Sequence, residues 1–306
     1  MTLHLSRRAA IGSALLLITC SAPLSLRAQT DNQNDLSAAL KGEPILVIQR
    51  EFTKPGRDGS SHEATEAAFM RAAAANKAPF HYIALTSLSG PNRALFFSGY
   101  SSMAAVEQER KSMSAALNTA LDKAMVADGD VLSGADSSVW RVDSDLSTNT
   151  RGMRIGARYL IVREFVIKPG HVSEWEQAVK LVMDGYKKAD IGAHWVTYRM
   201  MYGNSSGPTY LVLTSVKSMD EVDAMHTNDP KFVQAMGEDG LKHLEEVEAS
   251  CVTSEKSNMF LVNPKMSIPS DEMIKAEPAF WRPKATSSSS GVAKKSAAAK
   301  NTTTGQ

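Results

Sequence analysis

The chain has very little cysteine: Cys20 and Cys251 are the two thiols in 306 residues. If an N-terminal export segment containing Cys20 is removed, one thiol remains and no internal disulfide can form. Stability must then come from a packed core, for which the length is ample. An excess of one charge sign is also lacking, with 34 Lys and Arg against 33 Asp and Glu. Arg7, Arg8 and Arg27 fall in residues 1–28 with no acid among them, and the stretch after Arg282 holds lysines and no acid, so the body between is acidic on balance. That sign argues against a nucleic-acid partner. Cys-x-x-Cys, His-x-x-x-His, a P-loop and Gly-x-Gly-x-x-Gly are all missing, which removes the short signatures of zinc, phosphate and dinucleotide chemistry. No Ser-His-Asp set stands out. The apolar stretch Ala9–Ile18 is too short to span a bilayer.

That stretch sits behind Arg7-Arg8 and ahead of Leu26-Arg27-Ala28, so residues 1–28 read as a signal peptide. It predicts an exported protein, periplasmic or extracellular, with no transmembrane helix after its removal. Ser6-Arg7-Arg8 resembles a twin-arginine signal, although Ala9 and Ala10 stand where bulkier apolar residues would be expected. Leu17-Ile18-Thr19-Cys20 resembles a lipoprotein box, with Thr19 in the place of the small residue such sites want. Ordinary secretion is the plainer reading. Residues 29–43 read as a flexible leader. Residues 284–306, rich in Ser, Ala, Thr and Lys, read as a disordered tail that cannot bury enough surface to offset its ordering entropy.

What the sequence does have is a stretch that occurs twice. Arg50-Glu51-Phe52-Thr53-Lys54-Pro55-Gly56 returns as Arg163-Glu164-Phe165-Val166-Ile167-Lys168-Pro169-Gly170. Each copy follows an apolar run and precedes a helical pattern, which is a strand, a Pro-Gly turn and a helix start. Arg50 to Arg163 is an offset of 113, shared by Glu63 to Glu176 and His81 to His194, while the Lys-Pro-Gly triplets lie 114 apart. This predicts one extra residue before the second turn, lost after it.

The coarse order is the same in both halves. Residues 44–145 predict strand 45–52, a helix from the box Ser60-x-x-Glu63 to Asn76, strands 81–88 and 94–100, a long helix over 103–126, and a closing strand at 138–142. Residues 155–268 predict strand 159–167, a helix from Ser173-x-x-Glu176 to Lys188, and strands 194–202 and 209–216. A helix from Ser218-x-x-Glu221 follows, broken at Asn228-Asp229-Pro230; a further helix then runs to Glu248, and a strand at 258–262 ends the unit. That is βαββαβ twice, the ferredoxin-like arrangement. Each sheet has helices on one face and needs a cover on the other. Strands such as Tyr159–Val162 and Tyr210–Leu213 are apolar on both faces. The fold expected is therefore α+β: two ferredoxin-like repeats packed sheet to sheet as an intramolecular α/β barrel, neither half stable alone.

With these elements in place, "REFVIKPGHVSEWEQAV" and "TSVKSMDEVDAMHTNDPKFVQAM" resemble the dimeric α/β-barrel superfamily, within it the antibiotic-biosynthesis-monooxygenase-like and NIPSNAP-like domains. The resemblance covers most of residues 44–265 and describes the fold more than a site. It implies single-copy relatives that dimerise, a pairing that a fused chain would mimic. It also implies a range of activities: cofactor-free oxygenases, haem-degrading enzymes, isomerases and proteins without catalysis.

Candidate residues follow from both sources. His81 and His194 open matching strands, each ahead of an aromatic residue, and a titratable ring at a pocket mouth can hold a polar ligand group; the bland alternative is a strand-start histidine bonding a loop. Trp175, Trp195, Tyr198 and Tyr202 predict a better-formed pocket in the second half, against ordinary sheet packing. The resemblance implies that His226, on a helix, is where haem-degrading members place an axial ligand. In Arg50-Glu51 and Arg163-Glu164, strand alternation sends one charge of each pair into the barrel, where an Arg of one half can pair a Glu of the other. The function expected is an exported protein with a small-molecule pocket, no cofactor, no metal and no established catalysis. The alternatives are a cofactor-independent monooxygenase or isomerase acting on an aromatic or conjugated molecule, and a haem-binding protein. One consequence is directly measurable: N-terminal sequencing of the exported form should find Gln29 at or near its start, and lipid on Cys20 would contradict this.

Overall fold

The computed structural model describes residues 43–148 and 156–282. The signal segment, most of the leader, residues 149–155 and the tail lie outside the described residues. In chain order the elements are β1 (Ile45–Thr53), α1 (Ser60–Ala75), β2 (Ile83–Ser87), β3 (Arg93–Tyr100), α2 (Met103–Ser112), α3 (Ala115–Gly129) and β4 (Leu132–Thr148). The second half follows as β5 (Tyr159–Ile167), α4 (Val172–Lys188), β6 (Trp195–Tyr202), β7 (Thr209–Val216), α5 (Met219–Cys251) and β8 (Val252–Val262), and α6 (Asp271–Ala276) and α7 (Pro278–Trp281) end the described chain.

The eight strands close one antiparallel barrel in the order β1-β3-β2-β8-β5-β7-β6-β4. The halves meet edge to edge: β4 leaves β1 to pair β6, and β8 leaves β5 to pair β2. β4 therefore runs over 17 residues, far beyond the expected 138–142. Its first half, Leu132–Ser138, is too polar and too glycine-tolerant to read as a strand, and it is held by its register against β1. Closure removes every sheet edge that could template aggregation.

Other expected boundaries shift for local reasons. The long helix divides at Ser114, whose hydroxyl accepts from the Leu117 amide and starts α3. Pro230 does not break α5; the non-helical residue is Gly237, at φ 69°. Ser218 caps α5 as expected, but α1 and α4 have no side-chain cap at Gly59 and His171. The repeat itself is reset: β1 and β5 match at 114 throughout, with a bulge at Phe52/Thr53 and another at Val166/Ile167. No residue is inserted before the second turn. Arg50 is thus the counterpart of Glu164, and the two Arg-Glu dipeptides are out of phase by one residue.

A single core fills the tube, with residues from all eight strands, among them Leu46, Ile83, Phe97, Trp140, Leu160, Val196, Leu213 and Phe260. One end is stoppered by Met273 and Trp281 from α6 and α7, a plug that was not anticipated from the sequence. Arg158 fastens it, its guanidinium 2.8 Å from Glu277 and stacked at 3.9 Å on the Phe280 ring. Outside the tube, each half has its own helix layer. In the second half that layer is aromatic: Trp175 lies 4.2 Å from Tyr210 and 5.7 Å from Phe165, centroid to centroid, contacts that add to plain area burial.

In the first half, buried Glu51, His62, Glu66 and Asp128 occupy the layer between sheet and helices. Burial, with Glu51 and Asp128 nearby, pushes the Glu66 carboxyl up to about 9. The folded chain holds a proton that the unfolded chain releases from about pH 4.5, so this group's contribution to stability is complete below that pH and is lost as pH rises towards 9. In metal-free buffer Glu66→Gln should therefore flatten the fall in melting temperature between about pH 5 and 9. Parallel curves for the two proteins would contradict it.

Candidate functional site

Strand alternation sends Leu46, Ile48, Arg50 and Phe52 of β1 into the tube, and Leu160, Val162 and Glu164 of β5. The plugged end receives the apolar members and the open end receives the charges. At the open end lies a cavity of about 520 Å³. Its walls are Ile48, Leu95, Phe97, Trp140, Val162 and Leu211, and its rim carries Arg50, Arg93, Glu164 and Lys256.

The rim charges are arranged in pairs. Arg50 donates from Nε to Asp136 Oδ1 at 2.5 Å and lies 3.5 Å, Nη1 to Oε2, from Glu164. This is the cross-half Arg–Glu pair expected from the sequence. Lys256 Nζ reaches the other oxygen of Glu164 at 3.5 Å. The remaining dipeptide members face the helices: Glu51 joins His62, and Arg163 lies near Glu255 and Asp229.

Arg93 is different. Among the described residues no carboxylate stands within ion-pair distance of it, and its buried Nε has no hydrogen-bond partner. Its guanidinium sits 5.1 Å from the Phe260 ring centre, and burial, then the neighbouring Arg50 charge, lowers its proton affinity. Two bases and two acids thus neutralise one another, and Arg93 leaves one positive charge on an apolar cavity. Such a guanidinium supplies a planar fork of donors for an anionic group. Arg93 was not picked out from the sequence, because a charged residue just after Gly90-Pro91-Asn92 reads as the polar edge of a turn. Asp136 and Lys256 were missed in the same way.

The residues singled out beforehand do not share one site. Trp175 and Trp195 lie in the helix-side layer of the second half, with the Trp195 indole donating to the Leu146 carbonyl at 2.9 Å. Tyr198 is inside the tube, buried in its core, and Tyr202 is 63% exposed at a strand end. His81 is exposed. His194 is buried, its Nε2 2.7 Å from the Ser215 carbonyl, which is the strand-fastening role. Neither histidine lines the barrel cavity. His226 is exposed on α5 beside Asp229, 3.6 Å away, while Met225 takes the buried position. The His226 ring therefore faces solvent.

No family model matches the chain, and no curated protein does. Solved structures do resemble it in backbone. An anthrone oxidase-like protein is 14% identical, over 72% of this chain and 92% of that one, at a TM-score of 0.49. A provisionally assigned monooxygenase of Fusobacterium nucleatum is 11% identical, over 71% and 91%, at 0.44. The chlorite dismutase of Candidatus Nitrospira defluvii is 11% identical, over 76% and 95%, at 0.40. At such identities nothing of their chemistry carries over to this chain.

The rim pairing is testable by a double-mutant cycle. Arg50→Met and Glu164→Met should each destabilise the fold, and their coupling should be about 1 kcal/mol in favour of the pair, as for a half-buried ion pair. Zero coupling would mean the two charges sit side by side without sustaining each other.

Proposed function

We propose that the chain binds a small amphipathic anion in the open mouth of the barrel, with its apolar body against Trp140, Phe97 and Leu211 and its anionic group on Arg93. The signal-like character of residues 1–28 supports reading this binder as an exported protein. The two halves, alike in element order and in the position of their strand bulges, are read here as two copies of one unit. Arg93 carries the proposal: it is a charge on the cavity wall with no carboxylate at ion-pair distance among the described residues and an Nε without a partner. A volume of about 520 Å³ lies within the range of small-molecule sites. The apolar wall supplies affinity in proportion to area, and the single guanidinium supplies orientation.

The test is isothermal titration with aromatic and aliphatic carboxylates and with the matching neutral amides. Carboxylates such as 1-naphthoate should bind more tightly than their amides. Arg93→Met should weaken the carboxylates by roughly tenfold or more, the loss of one charge-assisted hydrogen-bonded contact, and leave amide binding unchanged. Equal loss for acid and amide, or no loss for either, would refute the assignment.

A further inference from the structure

The first half's helix layer contains a group of side chains with no counterpart in the second half. Glu51 on β1, His62 and Glu66 one turn apart on α1, and Asp128 on α3 are all buried, and each offers a ligand atom within 4.8 Å of all the others. His62 Nε2 is 3.0 Å from Glu51 Oε2 and 3.6 Å from Asp128 Oδ1. A cation about 2.1 Å from each donor sets donor separations of roughly 3 to 4 Å; the two His62 separations fall in that range and the others lie within 4.8 Å. Two outer groups orient the carboxylates as ligand shells require: Gln49 donates to Glu51 Oε1 at 2.6 Å, and Thr65 donates to Asp128 Oδ1 at 2.6 Å.

We infer that Glu51, His62, Glu66 and Asp128 bind one divalent first-row metal ion. Two observations separate this from a self-satisfied polar network. First, acids outnumber bases. Three carboxyl groups face one imidazole, and no hydrogen bond ties the Glu66 side chain to its neighbours among the described residues, although Glu66 is 5% exposed. Second, Tyr82, 7% exposed, has a buried hydroxyl with no partner, and that hydroxyl is electrostatically coupled to Glu66, Glu51 and Asp128 in that order. Its aromatic neighbour Phe96 is in turn the edge contact of the His62 ring. A buried phenol left without a partner beside three carboxyl groups is costly unless something else occupies the space between them.

The comparison between halves strengthens the case. In α1 the buried positions 62, 66 and 73 repeat the spacing of 175, 179 and 186 in α4. His62 and Glu66 therefore stand where Trp175 and Val179 stand, and Glu51 stands where Phe165 stands. The same layer packs with apolar side chains in one half, so the acids are not a requirement of the fold. Oxygen-rich donors with one imidazole suit manganese(II) or iron(II), with zinc as the competitor. A second cavity, about 370 Å³ and lined by His62, Asp58, Asn263 and Lys265, reaches the cluster from solvent and gives an ion its entry path.

The experiment uses the full chain, purified without chelator, then stripped with EDTA and titrated with Mn²⁺ while the free-ion electron paramagnetic resonance signal is followed. About one equivalent of Mn²⁺ per chain should be taken up, with melting raised by roughly 5–10 °C at a hundredfold excess over Kd. Fe²⁺ titrated without oxygen, and Zn²⁺, should compete for the same equivalent. Glu66→Gln and His62→Gln should each weaken uptake at least tenfold, as loss of one ligand does. The wild-type titration stands on its own if a variant fails to fold. Arg93→Met, which alters the barrel mouth, and Cys251→Ser, which removes the smaller group His171, Glu174 and Cys251, should both keep the bound ion. The inference is overturned if the wild type takes up no Mn²⁺, Fe²⁺ or Zn²⁺, if uptake survives Glu66→Gln and His62→Gln in folded protein, or if it is lost with Cys251→Ser.

Discussion

Ring closure governs this structure. Each half ends in a strand that pairs its own first strand on one side and the other half on the other side: β4 between β1 and β6, and β8 between β5 and β2. Neither half can satisfy those two strands alone, because their outer edges would face water unpaired. Closure also fixes a tube with one interior and two mouths. The interior must be apolar, one mouth is stoppered by Met273 and Trp281, and whatever charge alternation sends inward collects at the other. The binding cavity follows from that geometry.

Closure equally separates the outside into two helix layers that share no side chains. α1 with α3 covers one arc and α4 with α5 the other. A substitution in one layer is not transmitted through the ring to the other, so the layers are free to differ. The second holds a continuous aromatic and aliphatic packing around Trp175, Tyr186, Trp195 and Phe232. The first is split into smaller apolar clusters around Phe69, Phe80 and Leu117, leaving His62 and its carboxylates in the gap beside them. The first layer thus buries less continuous apolar packing than the tube or the second layer.

The sequence disclosed the backbone well and the sites poorly, for a physical reason. Elements declared themselves through period and turn chemistry, as in Tyr159–Ile167 or the Pro-Gly turns, because backbone pattern is local. The inward alternation of Arg50 and Glu164 could be inferred for the same reason. Pro230 misled because propensity is overridden by tertiary context here: it lies in the interior of α5, and Gly237, not the proline, takes the unusual φ. The sites are non-local. Glu51 and Asp128 lie 77 residues apart and meet His62 and Glu66 only once α1 and α3 lie on β1, and Arg93 becomes notable only once the fold leaves it with no carboxylate at ion-pair distance. Trp175 and Trp195 point to a pocket by their place in the second half, yet both serve as packing. The rarer event was a helix whose buried face carries His62 and Glu66 instead of apolar side chains, and its weak amphipathic pattern was the one local trace of it.

The charge at the mouth shows what joining two halves in one chain permits. β1 and β5 match at 114, so residues 50 and 164 take equivalent places facing into the ring. In two identical halves these places would carry the same residue. Two arginines, or two glutamates, would then approach each other in a partly dry space, where like charges repel more than they do in water. A chain with independent halves can instead put Arg50 at one place and Glu164 at the other, and the repulsion becomes attraction at the 3.5 Å seen here. Asp136 from β4 and Lys256 from β8 then complete a neutral set with one neighbour each. Against that neutral background a single further arginine suffices to give the cavity a sign, and Arg93 provides it with no carboxylate at ion-pair distance among the described residues.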